Sequence, residues 1–161
     1  MVTIDTLRQV EIFGDLSEED LRQIAALGQE RTLADGDWCF EAGAPAPNLF
    51  VLLQGRVQLS FDLSRFWDSD GYLIIETIEP NHIFGWSALV PPHEMTLSAR
   101  CVGPCTVLVL PRDGLLALFE CDKEMGYRVM RNLAKLIGGR LRVTRQKLVL
   151  EMGTTAHLQG R

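Results

Sequence analysis

The spacing of apolar residues changes period twice along the chain and divides it into three stretches. Near the start, Leu7, Val10 and Phe13 fall on one helical face. Gly14-Asp15 interrupts that face. Ser17 follows as an N-cap, with Asp20 completing an imperfect capping box. Leu16 and Leu21 occupy the positions of a hydrophobic staple, and Leu21, Ile24, Ala25 and Leu27 extend the face to Gly28. From about Thr32 to Leu110 the period is two, and short apolar runs alternate with turn residues. Phe50–Leu53 runs through Gln54-Gly55 into the alternating Val57, Leu59 and Phe61, which predicts a hairpin with glycine at its tight turn. Asp68-Ser69-Asp70-Gly71 marks another turn, Leu73-Ile74-Ile75 precedes Pro80, and Thr106–Leu110 closes the series before Pro111. Many short strands at this spacing predict a mainly β fold with flanking helices, built as a sandwich or jelly roll.

From Asp122 to about Glu151 the pattern is helical again. Tyr127, Met130, Ala134, Ile137, Leu141, Thr144 and Leu148 recur at alternating steps of three and four, a heptad seam. Val129, Leu133, Leu136 and Val143 form a second stripe beside it. A helix lying on one neighbour needs only one stripe. Two stripes predict that one packs on the β domain and the seam meets a second copy, giving a homodimer. Thr144 is the polar member of the seam and needs a partner, either its own backbone one turn back or a ligand. Gly138-Gly139 costs about 1 kcal/mol per residue relative to alanine. The pair is either a hinge or close-approach point, or weak propensity tolerated in a well-packed helix. The expected organisation is residues 1–121 as helix plus β-roll, 122–151 as the long dimerisation helix, and 152–161 as a disordered tail, with Gly153–Arg161 frayed.

Composition narrows the class. The 161 residues are 47% hydrophobic and 23% charged, typical of a globular chain and unlike a disordered one. No apolar run reaches the roughly 18 residues of a membrane span, and no secretory signal opens the chain, so a cytoplasmic location is expected. The net charge of −5 is unevenly spread. Residues 1–122 carry 7 Lys and Arg against 19 Asp and Glu, a balance of −12, whereas residues 123–161 carry 9 against 2, a balance of +7. The basic stretch reads as the solvent face of the long helix; nucleic-acid binding is the competing reading. Cys39, Cys101, Cys105 and Cys121 lack metal-ligand spacing and read as small buried hydrophobes, so no metal site is expected. No phosphate loop, kinase signature or hydrolase elbow appears, and an enzyme is not expected.

The segment richest in chemistry is Pro80–Ala99. Phe84-Gly85 followed by Ser87-Ala88-Leu89 suggests a strand turning into a short helix, whose first N–H groups suit an anion. Trp86 either fills the space of a ligand or stacks on a flat one. His82 and His93 read as turn and loop residues.

Taken in order, these segments resemble the cyclic nucleotide-binding domain of the catabolite activator and Fnr superfamily over nearly the whole chain. Ile12–Ser17 resembles the family's opening helix, Gly36 with Phe40–Gly43 its turn, Phe50–Val57 its central hairpin, Phe84-Gly85 with Ala88-Leu89 the start of its phosphate-binding cassette, and Arg140–Thr144 its dimerising helix. The resemblance implies a cyclic nucleotide-binding-like β-roll, the double-stranded β-helix, with cyclic AMP or cyclic GMP as the candidate ligand. It places the ligand against Val51, Leu53, Phe84, Gly85, Trp86, Ser87, Ala88, Leu89, Met95, Thr96 and Thr144, and the dimer interface at Tyr127, Met130, Ala134, Ile137, Leu141 and Leu148. Two positions depart from the family pattern. Trp86 stands where an acidic residue normally accepts from the ribose, and Met95 where an arginine normally pairs with the cyclic phosphate. A charge-assisted phosphate contact contributes about 1.5–3 kcal/mol, so its loss weakens cyclic nucleotide binding. Arg100 is five residues out of register and would have to reach round its strand. The segment after Glu151 holds no recognition helix, so DNA is not an expected partner, nor is a membrane. The expected role is a non-catalytic regulatory sensor in signal transduction, read out through the C-terminal helix by a protein partner in trans. The alternative is a structural or interaction module with a vestigial pocket.

Overall fold

A computed structural model describes residues 1–68 and 70–159 of the chain. Helices α1 (Ile4–Arg8) and α2 (Glu18–Leu27) open the chain. Strands β1 (Gln29–Leu33), β2 (Trp38–Phe40), β3 (Asn48–Gln54), β4 (Val57–Asp62), β5 (Tyr72–Ile78), β6 (Ile83–Phe84), β7 (Ser98–Cys101) and β8 (Cys105–Pro111) follow. Helices α3 (Arg112–Cys121) and α4 (Lys123–Gln159) close it. All pairing is antiparallel, in two four-stranded sheets ordered β1-β8-β3-β6 and β2-β7-β4-β5. This is the expected mainly β roll with flanking helices.

Local signals at the N-terminal end act as their chemistry requires. Ser17 Oγ accepts from Asp20 N–H at 3.1 Å and Asp20 Oδ2 accepts from Ser17 N–H at 3.1 Å, so the capping box is complete. The first helical face is shorter than its periodicity suggests. Only Ile4–Arg8 is helical, and Val10 and Phe13 reach the core from the turns that follow.

The hairpin expected around Gly55 is not one. β3 pairs with β8 and β6, and β4 pairs with β5 and β7, so the chain changes sheets at Gln54–Arg56. Alternation identifies a strand but not its partner, and both apolar runs find their partners far along the chain. The true hairpin joins β4 to β5; of its predicted turn, Ser69 lies outside the described residues. Helix α3 is a second difference. Pro111 precedes it and Gly114 lies inside it, which obscures a helical reading of Leu115–Phe119.

Both sheets and all four helices contribute to one buried cluster, in which each fully buried Leu, Ile or Phe contributes about 1.5–3 kcal/mol. Helix α4 joins it through Met125, Val129 and Leu133, with Leu136 and Ile137 half-buried. The second stripe therefore joins the buried cluster up to Leu136, beside α3 and the Ile12–Asp15 turn, and Val143 lies beyond it, 50% exposed. On the seam, Tyr127, Met130, Ala134, Leu141 and Leu148 are exposed. The helix is continuous to Gln159, past the fraying expected from Gly153; Thr154 Oγ1 donates to Leu150 O at 3.0 Å in this stretch. Gly160 and Arg161 lie outside the described residues. Strand β5 forms the outer edge of its sheet, and Tyr72, Leu73, Ile74 and Ile75 are all exposed. A register slip between Leu59 and Ser60 leaves Ile75 as an unpaired bulge.

Candidate ligand-binding site

The cassette is a strand end followed by a single turn. β6 ends at Phe84, Gly85 takes φ +70°, and Trp86–Leu89 forms one turn of 3₁₀ helix. Glycine is needed at Gly85. A Cβ there would strain the backbone and lie 3.1 Å from Phe40 Cε1 and from Phe50 Cδ2. The turn uses part of its own donor set, since Ala88 N–H donates to Gly85 O at 3.1 Å. The far side of the cassette is fixed by backbone bonds from Gly43 N–H to Met95 O at 2.7 Å and from Met95 N–H to Ala44 O at 2.8 Å.

Between this turn and α4 lies a cavity of about 310 Å³. Gly85, Trp86, Ser87, Met95 and Thr96 line it from the cassette, and Thr144 from the helix. Trp86 is half-buried against the core and forms a wall, so the cavity stays open beside the indole. Phe84, Ala88, Leu89 and Val51 are buried in the core, Leu53 is half-buried against it, and none of these five is part of the lining. Phe84 instead stacks on Phe50, ring centres 5.1 Å apart. Ser87 is 8% exposed, and its backbone carbonyl lies 3.3 Å from His93 Nδ1. Thr144 Oγ1 donates to Arg140 O at 2.9 Å, the backbone partner one turn back.

Several lining residues are not singled out as site residues by the sequence. Phe40, Leu59, Ile75 and Leu97 complete the apolar wall, and Ile137 and Leu141, which the sequence assigns to the dimer interface, line it from α4. Glu76 and Arg140 face each other across the opening, with Arg140 Nε 3.4 Å from Glu76 Oε1. Arg140 is the only cation lining this cavity among the described residues. Arg100 points elsewhere. It donates from Nε to Gly36 O at 3.0 Å and lies 5.4 Å from the centre of the Trp38 ring. His82 is exposed with Nδ1 near Pro80 O, and His93 Nδ1 lies 3.3 Å from Ser87 O.

The cysteines divide. Cys101 and Cys105 are buried, Cys39 is half-buried with its sulfur 3.9 Å from that of Cys101, and Cys121 is exposed. Cys121 thus corrects the expectation of four buried thiols; it ends α3 on its outer side. Burial pushes the Cys39 thiol up to about 11 and raises that of Cys101 as well.

Residues 30–122 match the cyclic nucleotide-binding domain family. The chain belongs to that family. Among solved structures, a Geobacter metallireducens protein assigned to cyclic nucleotide binding is 30% identical, with a TM-score of 0.75, covering 88% of this chain and 99% of that one. The catabolite activator protein of Thermus thermophilus is 26% identical, with a TM-score of 0.72, over 87% of this chain and 62% of that one. A curated relative, Glutaminase 2 of Bradyrhizobium diazoefficiens, is 27% identical over 89% of this chain, and the match spans only 22% of that protein's length. No helix among the described residues is long and apolar enough to cross a membrane.

Proposed function

We propose that the chain is a non-catalytic regulatory domain that binds a small ligand in its roll and passes the change to α4. The observation that carries this reading is the shared lining of the cavity. Ile137, Arg140, Leu141 and Thr144 of α4 close the space that Gly85, Trp86 and Met95 open, so a ligand touches both at once. The exposed seam of α4 supports a homodimer through Tyr127, Met130, Leu141 and Leu148, with a protein partner in trans as reader. The Glutaminase 2 match, confined to 22% of that protein, fits a regulatory module serving a larger assembly.

Cyclic AMP and cyclic GMP are the first ligands to test. The cassette offers neither the arginine nor the acidic residue of the family pattern, which favours a second reading, an interaction module whose pocket has lost its ligand. A calorimetric titration with both nucleotides separates them. Micromolar binding makes this a rewired nucleotide sensor. No heat at millimolar nucleotide, with a thermal-shift control, removes cyclic nucleotides as ligands.

A further inference from the structure

A second cavity, about 620 Å³, lies outside the first between α4, β5 and Glu11. The two share Ile75, Glu76, Arg140 and Thr144. The Arg140–Glu76 ion pair is therefore part of the wall between them. The inner space is apolar and aromatic, bounded by Phe40, Trp86 and Met95, with Ser87 also in its lining. The outer space is cationic in balance. Lys135, Arg140 and Lys147 face Glu11 and Glu76, and among the described residues neither lysine has an ion-pair partner. Arg140 is 21% exposed, and its other contact, Nη2 to Ile83 O, is long at 3.4 Å. One long, imperfect ion pair thus separates an aromatic chamber from a group of cations.

Resting on the sensor reading, we propose that the two cavities form one bipartite site for an organic anion with a flat, apolar body. The body enters beside Trp86 and Phe40. The anionic group, whether carboxylate, sulfonate or phosphate ester, stays at the outer side, where Arg140 meets it and Lys135 and Lys147, further along α4 on either side, add to the positive field. It takes Arg140 from Glu76, and the exchange places the ligand's charge on α4 instead of on the cassette, where Met95 offers none. Arg140 is then the specificity residue and Glu76 its internal competitor.

The test uses anilinonaphthalene sulfonate, a flat anion, and its neutral counterpart N-phenylnaphthylamine, both followed by fluorescence with the full chain. Saturable binding of the anion is expected, weakened about tenfold or more by Arg140→Gln. The neutral probe is expected to bind wild type and Arg140→Gln alike, which a general loss of structure would not give. Glu76→Gln removes the competitor and is expected to tighten the anion. Equal binding of the anion to wild type and Arg140→Gln, weaker binding to Glu76→Gln, or no saturable binding to wild type would overturn the proposal. Parallel titrations with cyclic AMP keep it separate from the sensor reading. Nucleotide binding that ignores Arg140→Gln sinks the bipartite site and leaves the sensor. If neither nucleotide nor anion binds, both fall.

Discussion

The side-chain amide of Asn132 donates to Asp15 Oδ1 at 2.7 Å, tying the first half of α4 to the turn before α2. The same amide donates to Ile12 O at 3.1 Å, and Arg128 Nη1 donates to Asp15 O at 3.1 Å. Arg131 adds an ion pair to Asp15 at 2.6 Å, but with side chains 53% and 41% exposed it contributes little. Asp15→Ala is expected to cost about 1–2 kcal/mol, mostly through the amide bond. Urea denaturation measures it. A double-mutant cycle with Asn132→Ala is expected to return a coupling of about 0.5 kcal/mol or more; additive effects would show that the two residues do not act as a pair.

Three glycines separate steric need from tolerance. Gly55, where the chain changes sheets, has φ +93°, and a Cβ there would lie 2.5 Å from Pro104 O and 2.9 Å from Cys105 Sγ. Gly55→Ala is expected to destabilise the fold by about 2–4 kcal/mol. Gly138 and Gly139 meet nothing within 4 Å. Alanine at both is expected to stabilise the helix by up to about 1 kcal/mol per site. If the pair is a hinge, the same double variant also dampens any ligand response. Thermal melts with and without ligand read both effects.

The thiols give a pH signature. The thiolate is the reactive form, and burial keeps Cys39 protonated to about pH 11. Iodoacetamide at neutral pH is expected to label the exposed Cys121 first, with Cys39, Cys101 and Cys105 reacting only after denaturation. The unfolded Cys39 thiol ionises from its ordinary 9.0, while the folded one holds its proton to about 11. The unfolded state therefore loses protons first. The Cys39 contribution to stability is fully present below pH 9 and is lost as pH rises toward 11. Cys39→Ala is expected to reduce that slope, and an unchanged slope would assign it to other groups.

The seam of α4 predicts its own disruption. Leu148 is 55% exposed and Leu141 48%. Leu148→Asp places a charge where apolar contact is expected, so sedimentation is predicted to fall from about twice 18.0 kDa to 18.0 kDa. A wild type that sediments at the single mass would remove the homodimer.

Features encoded within one or two turns are legible in the sequence. The Ser17–Asp20 box and the two stripes of α4 depend on spacing alone, and the fold has the box complete and the inner stripe packed as far as Leu136. Strand pairing is a long-range property, so β3 beside β8 is hidden from local pattern, and Gly55 looks like a hairpin turn. The cassette side of the site is legible because Gly85, Trp86 and Met95 are close in sequence. Glu76 and Arg140 escape the same reading. A charge on a strand and another on a helix both look solvent-facing until α4 crosses the mouth of the roll.

Strand β5 has consequences for handling the protein. It presents Tyr72, Leu73, Ile74 and Ile75 in succession on an open sheet edge, with Phe66 and Trp67 exposed nearby. A run of large apolar residues on an unpaired edge is a template for intermolecular strand addition. Association through this edge is the expected route of loss at high concentration, and Ile74→Lys is expected to slow it.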